Sequence, residues 1–314
     1  MPKIVISEFM DDAAIATLRA HHDVHLDESL CERPGELAAA LTDAAAIIVR
    51  NRTQVTADLI AGAANLKAVG RLGVGLDNID LAACKAGGIA VLPAVGANAA
   101  SVAEYVLCTA MLLLRTPALF GTADLVAGKW PRAALSRGRE IAGKTVALIG
   151  FGSIGQTTGD LARAAGFATI AHDDYLDADH PAWKTTARAN SLDEMLSTAD
   201  VVSLHCPLTE ATRGLIGAQQ LAVMKSGAIL INTARGGIVD EAALADALRS
   251  GHLGGAAIDV FANEPVDKAT GELFAGLDNI ILTPHVAGVT IESNERISSM
   301  TAENVLRVLK EANS

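Results

Sequence analysis

Gly150-Phe151-Gly152-Ser153-Ile154-Gly155 follows the apolar run 146–149 and opens an alanine-rich stretch. Between a strand and a helix, glycines at that spacing allow a tight turn at Gly150, close approach of a pyrophosphate at Gly152 and close helix packing at Gly155. The phosphate oxygens then meet the amides of Ser153 and Ile154 at the positive end of the helix. His172-Asp173-Asp174 ends the next apolar run, with Asp173 eighteen residues past Gly155. A carboxylate there accepts from both ribose hydroxyls and repels a 2′-phosphate. No arginine follows closely to neutralise one, so the expected cofactor is NAD. A second set of residues lies further on. Arg235 sits between the apolar run 229–232 and Gly236-Gly237, where a guanidinium presents a planar fork to a carboxylate. Glu264 lies in the loop beyond Ala257-Ile258-Asp259-Val260-Phe261, and His285 closes Thr283-Pro284-His285. Arg, Glu and His after three successive strands make a carboxylate binder, an orienter for an imidazole and a general acid/base.

Parallel strands joined by crossover helices would position such residues, because strand ends in a doubly wound sheet face the ligand. Short β-branched runs alternate with alanine-rich stretches throughout, so the class is α/β. One series of strands is expected at 3–7, 23–26, 45–49, 66–69 and 89–91, and a second at 146–149, 168–171, 201–204, 229–232, 255–259 and 280–282. A long helix is expected from about Ala99 to Arg115, then an irregular segment from 117 to 139. Ile297, Met300, Val305, Val308 and Leu309 mark a closing amphipathic helix. At 314 residues the chain has length for about two domains. Only ten aromatic residues force an aliphatic core.

The net charge of −11 opposes nucleic acid and anionic membrane surfaces, so an anionic ligand must be captured by local basic groups. Cys31, Cys84, Cys108 and Cys206 form no C-x-x-C pair, which suggests neither zinc nor a disulfide framework and fits the cytoplasm. The N-terminus has a short apolar run followed by Glu8, Asp11 and Asp12, too acidic for a signal peptide, and no apolar run is long enough to span a bilayer.

The chain resembles the D-isomer-specific 2-hydroxyacid dehydrogenases over essentially its whole length. The resemblance rests on the run from Gly70 to Asp80 that contains Gly73-Val74-Gly75, on Ala97-Asn98-Ala99-Ala100-Ser101-Val102-Ala103-Glu104, and on the segments around Arg235, Glu264 and His285. It implies two doubly wound parallel-sheet domains: a Rossmann NAD-binding domain at 99–289, inserted into a flavodoxin-like substrate-binding domain at 1–98 plus 290–314. It further implies a catalytic trio of Arg235, Glu264 and His285, with Val74 and Gly75 offering amides to the substrate carboxylate. Asp259 is implied to hold the nicotinamide carboxamide. Cys206, Pro207 and Thr209 would line the adenosine side, and His205, Thr233, Ala234 and Gly288 would complete the cofactor contacts. Members dimerise through the NAD-binding domain, with the arm near Trp130 in the contact. Related formate dehydrogenases carry Gln where this chain has Glu264. The length leaves no room for the C-terminal regulatory domain of some relatives.

The expected reaction is reversible hydride transfer between NAD and a 2-hydroxy acid, with His285 moving the hydroxyl proton. The resemblance also implies that Asn51 and Arg52 in Arg50-Asn51-Arg52-Thr53 face the substrate cleft and that Arg132 stands at a basic cleft position, so a second anion is expected on a small-molecule substrate, 3-phosphoglycerate first and sulfolactate as its close rival. Two alternatives stand beside this: a reductase of simple keto acids such as hydroxypyruvate or glyoxylate, and an NAD(H)-sensing corepressor-like binding protein.

Overall fold

The computed structural model describes residues 3–116 and 121–312. The chain divides into two compact units, Met1–Asn98 with Val289–Ser314, and Ala99–Gly288.

The first unit holds a five-stranded sheet of β1 (Lys3–Ile6), β2 (Asp23–Leu26), β3 (Ala44–Val49), β4 (Ala68–Arg71) and β5 (Ala90–Pro93). Its order is β2-β1-β3-β4-β5 and every pairing is parallel. The order reverses between β1 and β3, so the loops after those two strands diverge there, which is where doubly wound sheets bind ligands. Both faces are covered, and β3 accordingly reads as a continuous apolar run. On one face the closing helix Ile291–Ala312 inserts Ile297, Val305 and Leu309 among Ile4, Ile6, Ile15 and Ile48. The expected apolar stripe omits four of the seven residues this helix buries. Ser293, Ser298 and Thr301 are equally buried with their hydroxyls engaged: Ser293 Oγ donates to Thr290 O at 3.1 Å, Ser298 Oγ accepts from the Asp11 amide at 3.0 Å and Thr301 Oγ1 donates to Arg71 O at 3.4 Å.

The second unit holds seven strands: β6 (Thr145–Ile149), β7 (Ala168–His172), β8 (Ala187–Arg188), β9 (Val201–Leu204), β10 (Ile229–Asn232), β11 (Gly255–Ile258) and β12 (Ile280–Leu282). Their order is β12-β11-β10-β9-β6-β7-β8, again wholly parallel, with the reversal between β6 and β9. This is the Rossmann arrangement. Strand β8 escaped the sequence reading because it is two exposed residues with no apolar pattern. The segment expected to be irregular contains two short helices, Thr122–Val126 and Arg132–Leu135, neither with a buried residue to set a period. Residues 117–120 lie outside the described residues. Helix Ala99–Arg115 has the expected bounds and buries Val102, Val106, Ala110 and Leu113 against β10 and β11. Among the described residues no helix is long and apolar enough to cross a membrane.

Gly70 is a tightly packed point of the first unit. A Cβ there would stand 2.9 Å from Thr301 Cγ2 and Val305 Cγ2 and 3.1 Å from Ile48 Cγ1. Thr301 and Val305 are β-branched residues inside a helix and have little rotamer freedom with which to yield. Gly70→Ala is therefore expected to destabilise the protein by about 1–3 kcal/mol through overpacking. The check is the denaturation midpoint in urea, and an unshifted midpoint would mean that the helix moves off the sheet at no cost.

Candidate active site

The glycine fingerprint leaves the carboxyl end of β6, at the reversal point of the second sheet. Gly150 has φ +90°, and a Cβ on it would lie 2.7 Å from the backbone of His205 after β9. A Cβ on Gly155 would lie 2.4 Å from Gly150 O, one turn into helix Ser153–Ala165. Gly152 differs, since a Cβ there would meet nothing within 4 Å. The protein's own packing does not require glycine at that position; a ligand passing over the backbone would. The helix that starts beside it has no side-chain cap, so the amides of its first turn, Ser153 and Ile154 among them, face outward for an anion. The hydroxyl oxygen of Thr233 is buried and has no hydrogen-bond partner among the described residues, a further polar atom suited to a bound molecule. These features fit a dinucleotide.

Asp173 follows β7 and is held more firmly than the sequence suggests. Oδ2 accepts from the Phe151 amide at 2.6 Å, and Oδ1 accepts from the amides of Tyr175 and Leu176 at 2.8 and 2.9 Å. A carboxylate has about four acceptor positions, so one is open to a ribose hydroxyl where two such bonds were expected. His205, Cys206, Pro207 and Thr209 follow β9. Burial lowers the His205 pKa from 6.5 to about 4, and its Nε2 lies 2.9 Å from Ser203 Oγ, so the ring is neutral at neutral pH. Burial raises the Cys206 thiol.

Arg235, Glu264 and His285 follow β10, β11 and β12, three neighbouring strands in register from Asn232 to Ile258 to Leu282. The turn that presents Thr233, Ala234 and Arg235 is closed by buried Asn232, whose Oδ1 accepts from the Ala234 amide and whose Nδ2 donates to Arg235 O, both at 3.0 Å. Gly236 lets this turn lie against the next loop: a Cβ would fall 1.7 Å from Phe261 O. Arg235 Nη1 donates to Ala234 O at 2.7 Å. Glu264 Oε1 accepts from the Phe261 amide at 3.0 Å, which aims Oε2 at His285 Nδ1, 2.8 Å away. With Nδ1 engaged, Nε2 is the imidazole atom left to face a substrate.

His285 has φ +56° and is the one residue other than glycine in the left-handed region among the described residues. That conformation needs outside support. Asp259, 1% exposed, provides it: Oδ1 accepts from Thr283 Oγ1 at 2.5 Å and from the Val286 amide at 2.8 Å, and Oδ2 accepts from the Ala287 amide at 2.9 Å. Its backbone carbonyl accepts from the His285 amide at 2.8 Å. Tyr105 donates its phenol hydrogen to Thr283 Oγ1 at 2.6 Å, and burial raises its pKa. Gly288 lies just past this loop.

In the first unit Asn51 and Arg52 follow β3, and Val74 and Gly75 follow β4. The first of these segments depends on residues the sequence reading did not single out for chemistry. Glu8, which looked like part of an acidic terminus, is 4% exposed and accepts from four consecutive amides. Oε1 takes those of Arg50 and Thr53 at 2.8 and 3.0 Å, and Oε2 takes those of Asn51 and Arg52 at 3.3 and 3.0 Å. Burial alone would raise its pKa, but the Thr53, Arg50 and Arg52 amides and the Thr53 hydroxyl outweigh it and the net shift is downward. Asn78, also buried, donates Nδ2 to Thr53 O at 2.7 Å and Arg50 O at 3.3 Å. The guanidinium of Arg52 is exposed and ion-paired with Glu32 at 2.5 Å. That of Arg132, on helix Arg132–Leu135, is exposed with no ion pair found among the described residues. The signal that could have exposed Glu8 is an acid directly after an apolar strand at a sheet's reversal point.

The family D-isomer specific 2-hydroxyacid dehydrogenase, NAD binding domain, matches residues 108–287. The chain is 51% identical over 309 residues to the (S)-sulfolactate dehydrogenase of Chromohalobacter salexigens, covering 98% of this chain and 99% of that one. It is 37% identical over 310 residues to the D-3-phosphoglycerate dehydrogenase of Methanocaldococcus jannaschii, covering 99% of this chain but 58% of that one. The D-lactate dehydrogenase of Aquifex aeolicus, solved with NAD and lactic acid, superposes with a TM-score of 0.84 at 28% identity, over 98% of this chain and 96% of that one. The two parallel α/β units, the fingerprint and these likenesses agree, and the chain belongs to the D-isomer specific 2-hydroxyacid dehydrogenases, enzymes that use NAD.

Proposed function

We propose that the chain interconverts a three-carbon 2-hydroxy acid and its 2-keto acid, with a second anionic group on the third carbon of the substrate, a sulfolactate-like compound ahead of a phosphoglycerate-like one. The observation that carries the reaction is the 2.8 Å contact between His285 Nδ1 and Glu264 Oε2, in loops past β12 and β11, the two strands next in order to β10, after which Arg235 lies. His285 Nε2 takes the hydroxyl proton during oxidation, and Glu264 stabilises the imidazolium that results. Arg235 binds the substrate carboxylate, aided by the amides of Val74 and Gly75. When bound, NAD supplies the hydride acceptor. The residues assigned to hold it are Gly150, Gly152, Ser153, Ile154 and Gly155 for the pyrophosphate and Asp173 for the ribose. Cys206, Pro207 and Thr209 are assigned to the adenosine side and Thr233, Ala234, Asp259 and Gly288 toward the nicotinamide, with His205 a further cofactor contact.

The second anion is assigned to Arg52 and Arg132 with Asn51. The 51% likeness to a sulfolactate dehydrogenase supports this, since sulfolactate carries a sulfonate on its third carbon. One observation favours a rival: the Arg52–Glu32 ion pair already neutralises that guanidinium, as suits a simple 2-hydroxy acid. We further propose a homodimer through the second unit, supported by the exposed Leu125, Val126 and Trp130 close together in sequence, and a cytoplasmic setting, supported by four free cysteines.

Three experiments test these assignments. The Asp173 carboxylate, fixed by three amides, would face the 2′-phosphate of NADP, each unit charge pair costing ~1–4 kcal/mol with the effective dielectric. NAD is expected to give at least about a tenfold higher kcat/KM than NADP, and equal values would reverse the cofactor assignment. His285→Gln should keep NADH affinity, read by fluorescence titration, while kcat falls ~100-fold or more. Parent-like turnover at neutral pH would remove His285 from the mechanism. Arg52→Ala and Arg132→Ala should each lower kcat/KM about 5- to 30-fold for sulfolactate, a screened pair at ~5 Å being worth ~1–2 kcal/mol. The loss should shrink with added salt and be small for glycerate, whereas Arg235→Ala should damage both substrates alike and more severely. Equal losses on the two substrates at Arg52 and Arg132 would sink the second-anion assignment.

A further inference from the structure

The first unit reverses its strand order between β1 and β3, and the two loops leaving those strands are tied to each other mainly through one side chain. Glu8, at the end of β1, takes every amide of residues 50–53. Asn78, in the loop past β4, takes two carbonyls of the same segment. Four successive amides turned onto one buried carboxylate cannot also form a backbone nest for an anion. An anion bound by this segment must therefore be read by its side chains, and of the four two are withdrawn. Thr53 is buried against Ser7, its Oγ1 2.8 Å from Ser7 Oγ. Arg50 is half-buried and donates Nη2 to Asn294 Oδ1 at 3.0 Å. Asn51 and Arg52 are left facing outward.

We propose that Glu8 is the positioning residue for substrate selection: by drawing in the amides of residues 50–53 it aims Asn51 and Arg52 outward, and so sets the preference for a substrate with a second anion. Placing a carboxylate beneath an anion-reading loop is unfavourable in charge, yet its own charge is spent on four amide hydrogens and the only cation it exposes is Arg52. Glu32, in ion pair with Arg52, is the competitor that an incoming anion displaces. The inference rests on the assignment of Arg52 to the second anion.

The test compares Glu8→Gln, Glu8→Asp, Arg52→Ala and the Glu8→Gln/Arg52→Ala double variant in the full-length enzyme. Initial rates with NAD are measured on sulfolactate and on glycerate, alongside NADH titration and thermal denaturation. Glutamine keeps one acceptor oxygen and places an amino group against two of the four amides, so residues 50–53 are held by half their bonds. The expected result for Glu8→Gln is a rise in KM for sulfolactate of about fivefold or more, with the change for glycerate within about twofold and kcat little altered. In the Arg52→Ala background the same substitution should add almost nothing, since both act through one contact. Glu8→Asp should give a smaller rise of the same selectivity, and it carries the test if the glutamine variant does not fold. If Arg52→Ala is selective for sulfolactate while the Glu8 variants raise KM equally for both substrates, or their effect persists in the double variant, Glu8 only supports the fold and the proposal is overturned. A non-selective Arg52→Ala would overturn the substrate assignment itself, and this inference with it.

Discussion

The left-handed backbone at His285 exists because a buried carboxylate pays for it. Asp259 is a charge with almost no access to water, a state that costs several kcal/mol unless its oxygens are satisfied. The groups that satisfy it are the Thr283 hydroxyl and the amides of Val286 and Ala287, and all three belong to the loop that carries His285. Solvating the acid and shaping the loop are thus one interaction. Tyr105 extends the support into the helix Ala99–Arg115 by fixing the Thr283 hydroxyl. Given that loop, Glu264 needs only to present one oxygen at Nδ1, which its own contact with the Phe261 amide arranges.

The same device appears in the first unit with a different residue. Glu8 organises residues 50–53 as Asp259 organises 283–287, each acid gathering backbone amides just past a buried strand. Parallel sheets invite this, because their strands end together at one edge and leave loops whose amides lack sheet partners. An acid placed there fixes the connection, and its removal leaves several buried donors without a partner.

Much of this was legible because the pattern that builds the elements also names them. The aliphatic runs of β6, β9 and β10 are buried on both faces and so stand out as continuous, and the glycines after β6 mark their own strand ending. Arg235, Glu264 and His285 could be found because each follows such a run. The rest failed for identifiable reasons. Strand β8 is too short and too polar to carry a period. Ser298 and Thr301 are buried through their hydroxyls, which an apolar stripe does not count. Glu8 and Asn78 act on backbone groups distant in sequence, and Asp173 is engaged by the amide of Phe151, so their partners become evident only once the strands are assembled.

The two units differ in how their chain is supplied. Ala99–Gly288 is one continuous stretch, whereas the first unit is completed by Val289–Ser314, whose helix shares a core with Ile4, Ile6 and Ile48. As the ribosome delivers the chain from its N-terminus, the second unit can close its core while the first still shows water a greasy face on β1, β3 and β4. That exposure lasts until the final helix leaves the exit tunnel. The contacts that end it join residues nearly the whole chain apart, the kind that form slowly. Chaperone capture during synthesis would act on the N-terminal unit, although it is made first.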